Sequence, residues 1–329
     1  MVRRLPSPRL YELLLLADFA LVVVLLRLKA RLGLDTGRTL LDMREFLLWA
    51  GMFVLGGVAL RALLAARRGW RRGRARLHAL LLRPRSLADL VRFLFFMTLT
   101  SYVYSWLKVA LPLLRPGTLY DQELYRIETV LHLGVNPGLL LQGLFPYASL
   151  WRLLDAYYAA FIFTVIAGVG WFAATLSIRD RARFAAGFTL LWVLGSWLYV
   201  AVPSLGPCYV LKDDYTEVRA SMPSQSATMD LLFAHYGRVL SLHRRREGVD
   251  VSPYLGIAAM PSLHVGAQAF LMLFARKRSQ VVFLLYAALT AVTFFTAVVS
   301  GWHYAIDGYA ALLLAWFALR AGNRSVPSA

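Results

Sequence analysis

The chain has 329 residues, of which 59% are hydrophobic and 16% charged, and its mean hydropathy is +0.57. A soluble domain is closer to half apolar and a quarter charged, so the composition excludes an ordinary soluble protein and points to the membrane. The formal charge of +18 therefore reads as Lys and Arg gathered in cytoplasmic loops and not as a nucleic-acid-binding surface. A single cysteine, Cys208, excludes an intramolecular disulfide.

A helix needs roughly 20 apolar residues to cross the hydrocarbon core. Eight segments qualify in chain order: 11–28, 46–66, 87–114, 148–178, 184–202, 262–275, 281–300 and 304–319. They are expected to be helices, because backbone polar groups in lipid must satisfy one another. The first has no small-residue cleavage site and reads as a retained anchor. The loop 67–85 carries eight arginines and is expected in the cytoplasm. With eight spans, the basic connections 179–183 and 276–278 and both termini fall on that same side. The outward connections are then 29–45, 115–147, 203–261 and 300–303. Within 115–147, Leu124, Ile127 and Leu131 recur at helical spacing over 120–131, the pattern of a helix lying on the membrane surface. Leu133-Gly134-Val135-Asn136-Pro137 ends it. The expected organisation is all-α: an N-terminal two-helix extension over 1–86, a six-helix core over 87–322 and a cytoplasmic tail over 323–329. The Arg/Leu/Ala-rich composition suits a bacterial cell membrane.

The chemistry concentrates at two span ends. One reads Met260-Pro261-Ser262-Leu263-His264, and the other Ser300-Gly301-Trp302-His303-Tyr304-Ala305-Ile306-Asp307. Both lie at the outer ends of their spans, so the two histidines are expected at one depth. His303 and Asp307, four apart, share a helix face. A carboxylate there can hold one imidazole nitrogen and leave the other free as nucleophile or base. An aspartate within a span costs about several kcal/mol and marks a functional site. Ser262, at a helix start, can offer its hydroxyl or N–H to an anion.

Pro-Ser-x-His followed, one span later, by Gly-x-His-Tyr-x-x-Asp resembles the type 2 phosphatidic acid phosphatase superfamily over roughly residues 87–322. The variant Ala259-Met260-Pro261-Ser262-Leu263-His264 is closer to its inositol phosphorylceramide synthase-like branch, and His-Tyr-x-x-Asp is also similar to sphingomyelin synthases. The resemblance implies that His303 attacks phosphorus to form a phosphohistidine and that Asp307 orients it. It implies that His264 protonates the leaving alkoxide and then deprotonates the acceptor, that Ser262 touches the phosphate, and that no metal or other cofactor is needed. The expected activity is transfer of a phosphate or phospho-headgroup, inositol phosphate among the candidates, from a membrane phospholipid to a lipid alcohol. The alternatives are a lipid phosphate or polyprenyl pyrophosphate phosphatase, and an inert lipid carrier on the same scaffold. Two departures stand out. The Lys-x6-Arg-Pro motif of the phosphatases is absent after the third core span, where the chain reads Val202-Pro203-Ser204-Leu205-Gly206-Pro207-Cys208-Tyr209. The arginine expected six residues before the second histidine is Ala297. Replacement phosphate ligands are sought in the long outer loop: Tyr209, Lys212, Arg244, Arg245 and Arg246.

Overall fold

The computed structural model describes residues 9–29, 36–66, 83–245 and 252–326, and among them it is all helical, without strands. The arginine-rich stretch 67–82 and Arg246 lie outside these residues, as does the side chain of Arg245.

Each of the eight apolar segments is a helix: α1 (Leu10–Leu28), α2 (Thr36–Ala66), α3 (Pro84–Leu114), α6 (Ala148–Thr175), α7 (Ile178–Ala201), α11 (Leu263–Ala275), α12 (Gln280–Val299) and α13 (Ala305–Ser325). Of these, α3, α6, α7, α12 and α13 are long and apolar enough to cross a membrane, and the protein is an integral membrane protein. Helix α11, with 13 residues, is apolar but short. Local chemistry sets several starts. Pro84 opens α3, and the hydroxyls of Ser177 and Ser279 accept from Asp180 N and Val282 N at α7 and α12. Helix α2 begins ten residues before its apolar stretch, drawing part of the expected outer connection into helix.

Helix α7 packs against α1, α3, α11 and α13, and α11 also packs on α12 and α13. Phe172, Phe184, Phe188, Phe270 and Phe274 interlock edge-to-face and stacked at these crossings. Helix α2 lies along α6, and α1 along α3 and α7, so the N-terminal pair flanks the remaining bundle.

The outward connections hold more structure than their composition suggests. The surface helix α4 spans Asp121–Leu131, and Leu133, at φ 56°, and Gly134, at φ 90°, end it. Asn136 caps α5 (Pro137–Leu144) through Leu139 N. The segment expected as a long loop, 203–261, is largely helical: α8 (Pro207–Val210), a 3-10 turn (Asp213–Tyr215), α9 (Thr216–Ser221) and α10 (Pro223–Arg245). Helix α10 escapes a hydropathy reading because it is polar on most sides. It buries Gln225, Met229, Leu232 and Val239 against α3 and α6. Its entry is fixed by Asp155 on α6, whose carboxylate accepts from Ser224 N and Gln225 N at 3.0 and 2.8 Å.

Candidate active site

The two histidine segments meet as their sequence positions suggest. The rings of His264, in the first turn of α11, and His303, just before α13, lie edge-on with centroids 5.5 Å apart. His303 Nδ1 is 2.8 Å from the Ala259 carbonyl and 3.4 Å from Asp307 Oδ2. A carbonyl only accepts, so Nδ1 carries the proton and Nε2 presents its lone pair. Asp307, fully buried, is held in turn by Tyr304 N, which donates to Oδ2 at 2.9 Å. Its backbone carbonyl accepts from Ser262 N at 3.1 Å, tying the start of α11 to that of α13. His264 is held differently. Tyr158 Oη lies 2.8 Å from its Nδ1, and the Phe161 ring packs against it at 4.3 Å.

Two turns deliver these groups. Gly301, at φ 77°, reverses the chain between α12 and His303, and its carbonyl accepts from Cys208 N. Gly206, at φ 107°, lets the 203–206 loop press on the Trp302 carbonyl, where an added Cβ would sit 2.5 Å away. Ser204 in that loop accepts at its carbonyl from Ala259 N and at its hydroxyl from Met260 N. The strand-like run before α11 is thereby fixed, and with it the carbonyl that His303 binds.

Two cavities share His264, Lys108, Phe161 and Tyr254. One, of about 310 Å³, also reaches His303, Trp302, Gln225 and Thr228. The other, of about 260 Å³, runs between α3, α6 and α7 along Tyr104, Val165 and Trp192. Lys108 is the one Lys or Arg lining either cavity among the described residues, and no carboxylate there pairs with it.

Among the described residues, those proposed from sequence to bind phosphate do not line these cavities. Ser262 commits its N–H to Asp307, and its buried hydroxyl has no partner. The Tyr209 hydroxyl donates to the Met229 carbonyl, and its ring stacks on Phe233. Lys212 Nζ sits 4.4 Å from the centre of that same Phe233 ring. None of the four lines either cavity: Tyr209 and Lys212 turn to Phe233, Ser262 faces Asp307, and Arg244 is exposed on α10. Lys108 carries a sequence signal at a different span from the one expected. Lys108-Val109-Ala110-Leu111-Pro112-Leu113-Leu114-Arg115-Pro116 spells Lys-x6-Arg-Pro at the end of α3. The structure divides its two cations: Lys108 enters the cavities, while Arg115 Nη1 donates to the Val200 carbonyl at the end of α7. Position 297 gives the site no charge, but the Ala297 carbonyl accepts from His303 N at 3.1 Å.

Comparison with curated proteins and with solved structures gives no match. The family model described as PAP2 superfamily matches residues 122–321, well over half of the chain, so the protein belongs to this superfamily of phosphatases and phosphotransferases that act on phosphate esters.

Proposed function

We propose that the protein is a membrane lipid phosphotransferase that moves a phosphate or phospho-headgroup, inositol phosphate among the candidates, from a phospholipid to a lipid alcohol. The observation that carries this reading is the position of His264, at the junction of a strongly apolar cavity between helices and a more polar cavity lined by His303, Gln225 and Thr228. A lipid can leave its chains in the first and its phosphorus in the second.

In this mechanism the His303 Nε2 lone pair attacks phosphorus, the P–O bond to the leaving alcohol breaks, and His264 supplies the proton that the alkoxide takes. His264 then accepts the proton of the incoming alcohol, whose oxygen attacks phosphorus as the P–N bond breaks. Asp307 and the Ala259 carbonyl hold the proton at His303 Nδ1 throughout. Lys108 balances the charge on phosphate. One cation suits a singly charged phosphodiester better than a dianionic monoester, which favours transfer of a headgroup. Eight crossings, a six-helix core over 87–322 and an active site on the extracytoplasmic side complete the proposal.

The test supplies purified protein with phosphatidylinositol labelled at phosphorus, together with ceramide or a diacylglycerol of different chain length, and separates the products. Label is expected in a new lipid, and EDTA is expected to leave the rate unchanged. A water-soluble phosphate ester as sole product, whatever alcohol is offered, assigns the protein as a hydrolase.

A further inference from the structure

The helix α4 makes contacts that neither its composition nor the proposed mechanism requires. Asp121 and Glu128 lie two turns apart on one face, with Leu124 between them, and all three are buried. The Asp121 carboxylate accepts from Leu205 N at 3.0 Å and Gly206 N at 2.8 Å, and from the Tyr304 hydroxyl at 3.3 Å. Glu128 Oε2 accepts from Ala305 N and Ile306 N, the first amides of α13. Leu124 packs on Tyr304 and Ile306. These partners are the two loops that make the site. The 203–206 loop fixes Ala259, which holds the His303 tautomer, and the start of α13 carries Asp307.

We propose that α4 is the positioning element of the site, with Asp121 and Glu128 as positioning residues that set the His303–Asp307 geometry without touching substrate. The proposal rests on the catalytic reading of His303 given above. The outer face of α4 exposes Ile127, Val130 and Leu131, so the helix reaches the site loops through its inner acids and through its N-cap, where Tyr120 N donates to the Pro203 carbonyl at 2.8 Å. Burial of a carboxylate costs free energy unless its hydrogen bonds are made. Here Asp121 is satisfied mainly by the amides of the 203–206 loop and Glu128 by those of the first turn of α13, so displacing either segment leaves a buried acid short of partners.

A pH dependence follows. Burial raises the Glu128 carboxyl to about 7, with the nearby Asp307 charge adding to the rise and the Ala305 and Ile306 amides opposing it. Tyr304 and the Tyr215 ring of the 3-10 turn also face it, and on its own helix His132 Nδ1 shares the Glu128 carbonyl. The ionised cap is present above about pH 7 and is lost as pH falls through that value. Because the folded value is raised, this group costs stability as pH rises from about 4.5 to about 7, the reverse of an ordinary cap.

Full-length Glu128→Ala, Glu128→Gln and Asp121→Ala are compared with wild type in the labelled-lipid assay, with 15N histidine NMR of the same samples. Each alanine variant is expected to lose about 10- to 100-fold in kcat with KM within about twofold, the scale of a roughly 1 Å misplacement. Glu128→Gln keeps an acceptor oxygen, so it should recover most of kcat at pH 8 and lose the acid limb near pH 7. Glu123→Ala, on the exposed face, should match wild type. Unchanged kcat in both alanine variants overturns the proposal, and so does a loss seen only in KM. If wild type turns over no lipid, the catalytic reading falls, and the NMR still decides this proposal. The His303 Nδ1–H signal should persist in wild type and become a tautomer mixture in Asp121→Ala and Glu128→Ala; an unaltered signal rejects positioning. Should an alanine variant not fold, Glu128→Gln and its pH profile carry the same decision.

Discussion

At the end of the bundle where α1, α3 and α7 begin, buried charges are paired with one another; at the opposite end, where the histidines lie, buried acids are paired with backbone. At the first end Arg9 and Arg181 both bind Asp89, the latter at 3.1 Å, Arg92 binds Glu12, and Arg181 donates to Ser86. Glu12 and Arg181 are each 1% exposed. At the second end Asp121, Glu128, Asp155 and Asp307 each accept from main-chain amides. Ion pairs in a low-dielectric setting consume both charges and lock helices together. Acids satisfied by amides shape loops and leave nearby cations uncompensated. Lys108 is therefore available to an anion, while the arginines at the other end are not.

The comparison is broken most directly at the histidines. His303→Ala and His264→Ala should each lower turnover by about three orders of magnitude or more, and Asp307→Asn should be comparably severe, because members of such a unit fail together. Steady-state rates with labelled lipid, alongside thermal melts in detergent, check this. A His303→Ala enzyme that keeps above about a tenth of activity ends the nucleophile assignment.

A smaller loss is expected at Lys108. Removing a charge-assisted contact to phosphate costs about 1.5–3 kcal/mol, so Lys108→Met should lower kcat/KM by about 10- to 100-fold with little change in melting temperature. Arg115→Met should leave kcat/KM within about threefold, since Arg115 bonds a helix end and not the cavity. Equal effects of the two would mean that the Lys-x6-Arg-Pro pair acts as one unit.

The opposite end should show the inverse pattern. Asp89→Ala leaves the buried Arg181 guanidinium and the partly buried Arg9 without their carboxylate, a change worth about 3–5 kcal/mol, while the turnover of the protein that stays folded is unchanged. Melting curves with active-site titration separate the two quantities, and a kcat deficit in the folded fraction would show that the ends are coupled.

The gentlest prediction concerns sidedness and should alter no rate. Cysteines at Glu123 and Lys277, both exposed, should label with impermeant reagent from opposite faces of the membrane, and Cys208, fully buried, should stay silent. Labelling of both from one face would remove the eight-crossing arrangement.

Much of this was legible in one dimension. Apolar runs announce helices because lipid leaves the backbone no other way to satisfy itself, and all eight segments are helical. His303 and Asp307 do meet, at 3.4 Å, but not on one helix face as their spacing suggested, because His303 sits in the turn before α13. Helix α4 forms where its period placed it, yet Leu124 turns inward with Asp121 and Glu128 while Ile127 and Leu131 stay exposed, because the site loops offer amides that the acids can bind. Helix α10 was not legible, because its polar faces hide a narrow buried stripe that acquires meaning only against α3 and α6. Lys108 is legible by spacing but lies at the end of α3 and not after the third core span, and a motif carries no statement of which helix end will face the histidines.

The sequence by itself determined the membrane class and the helical segments, because hydropathy acts within a turn or two of chain, and it singled out His264, His303 and Asp307, which the fold brings together. Tertiary structure alone decided that Lys108, and not Tyr209, Lys212 or Arg244, reaches the cavities, that the Ala259 carbonyl selects the His303 tautomer, and that Glu128 caps a helix 177 residues away. Those are contacts between elements. Helix packing sets which faces meet, and no local pattern of side chains records that outcome.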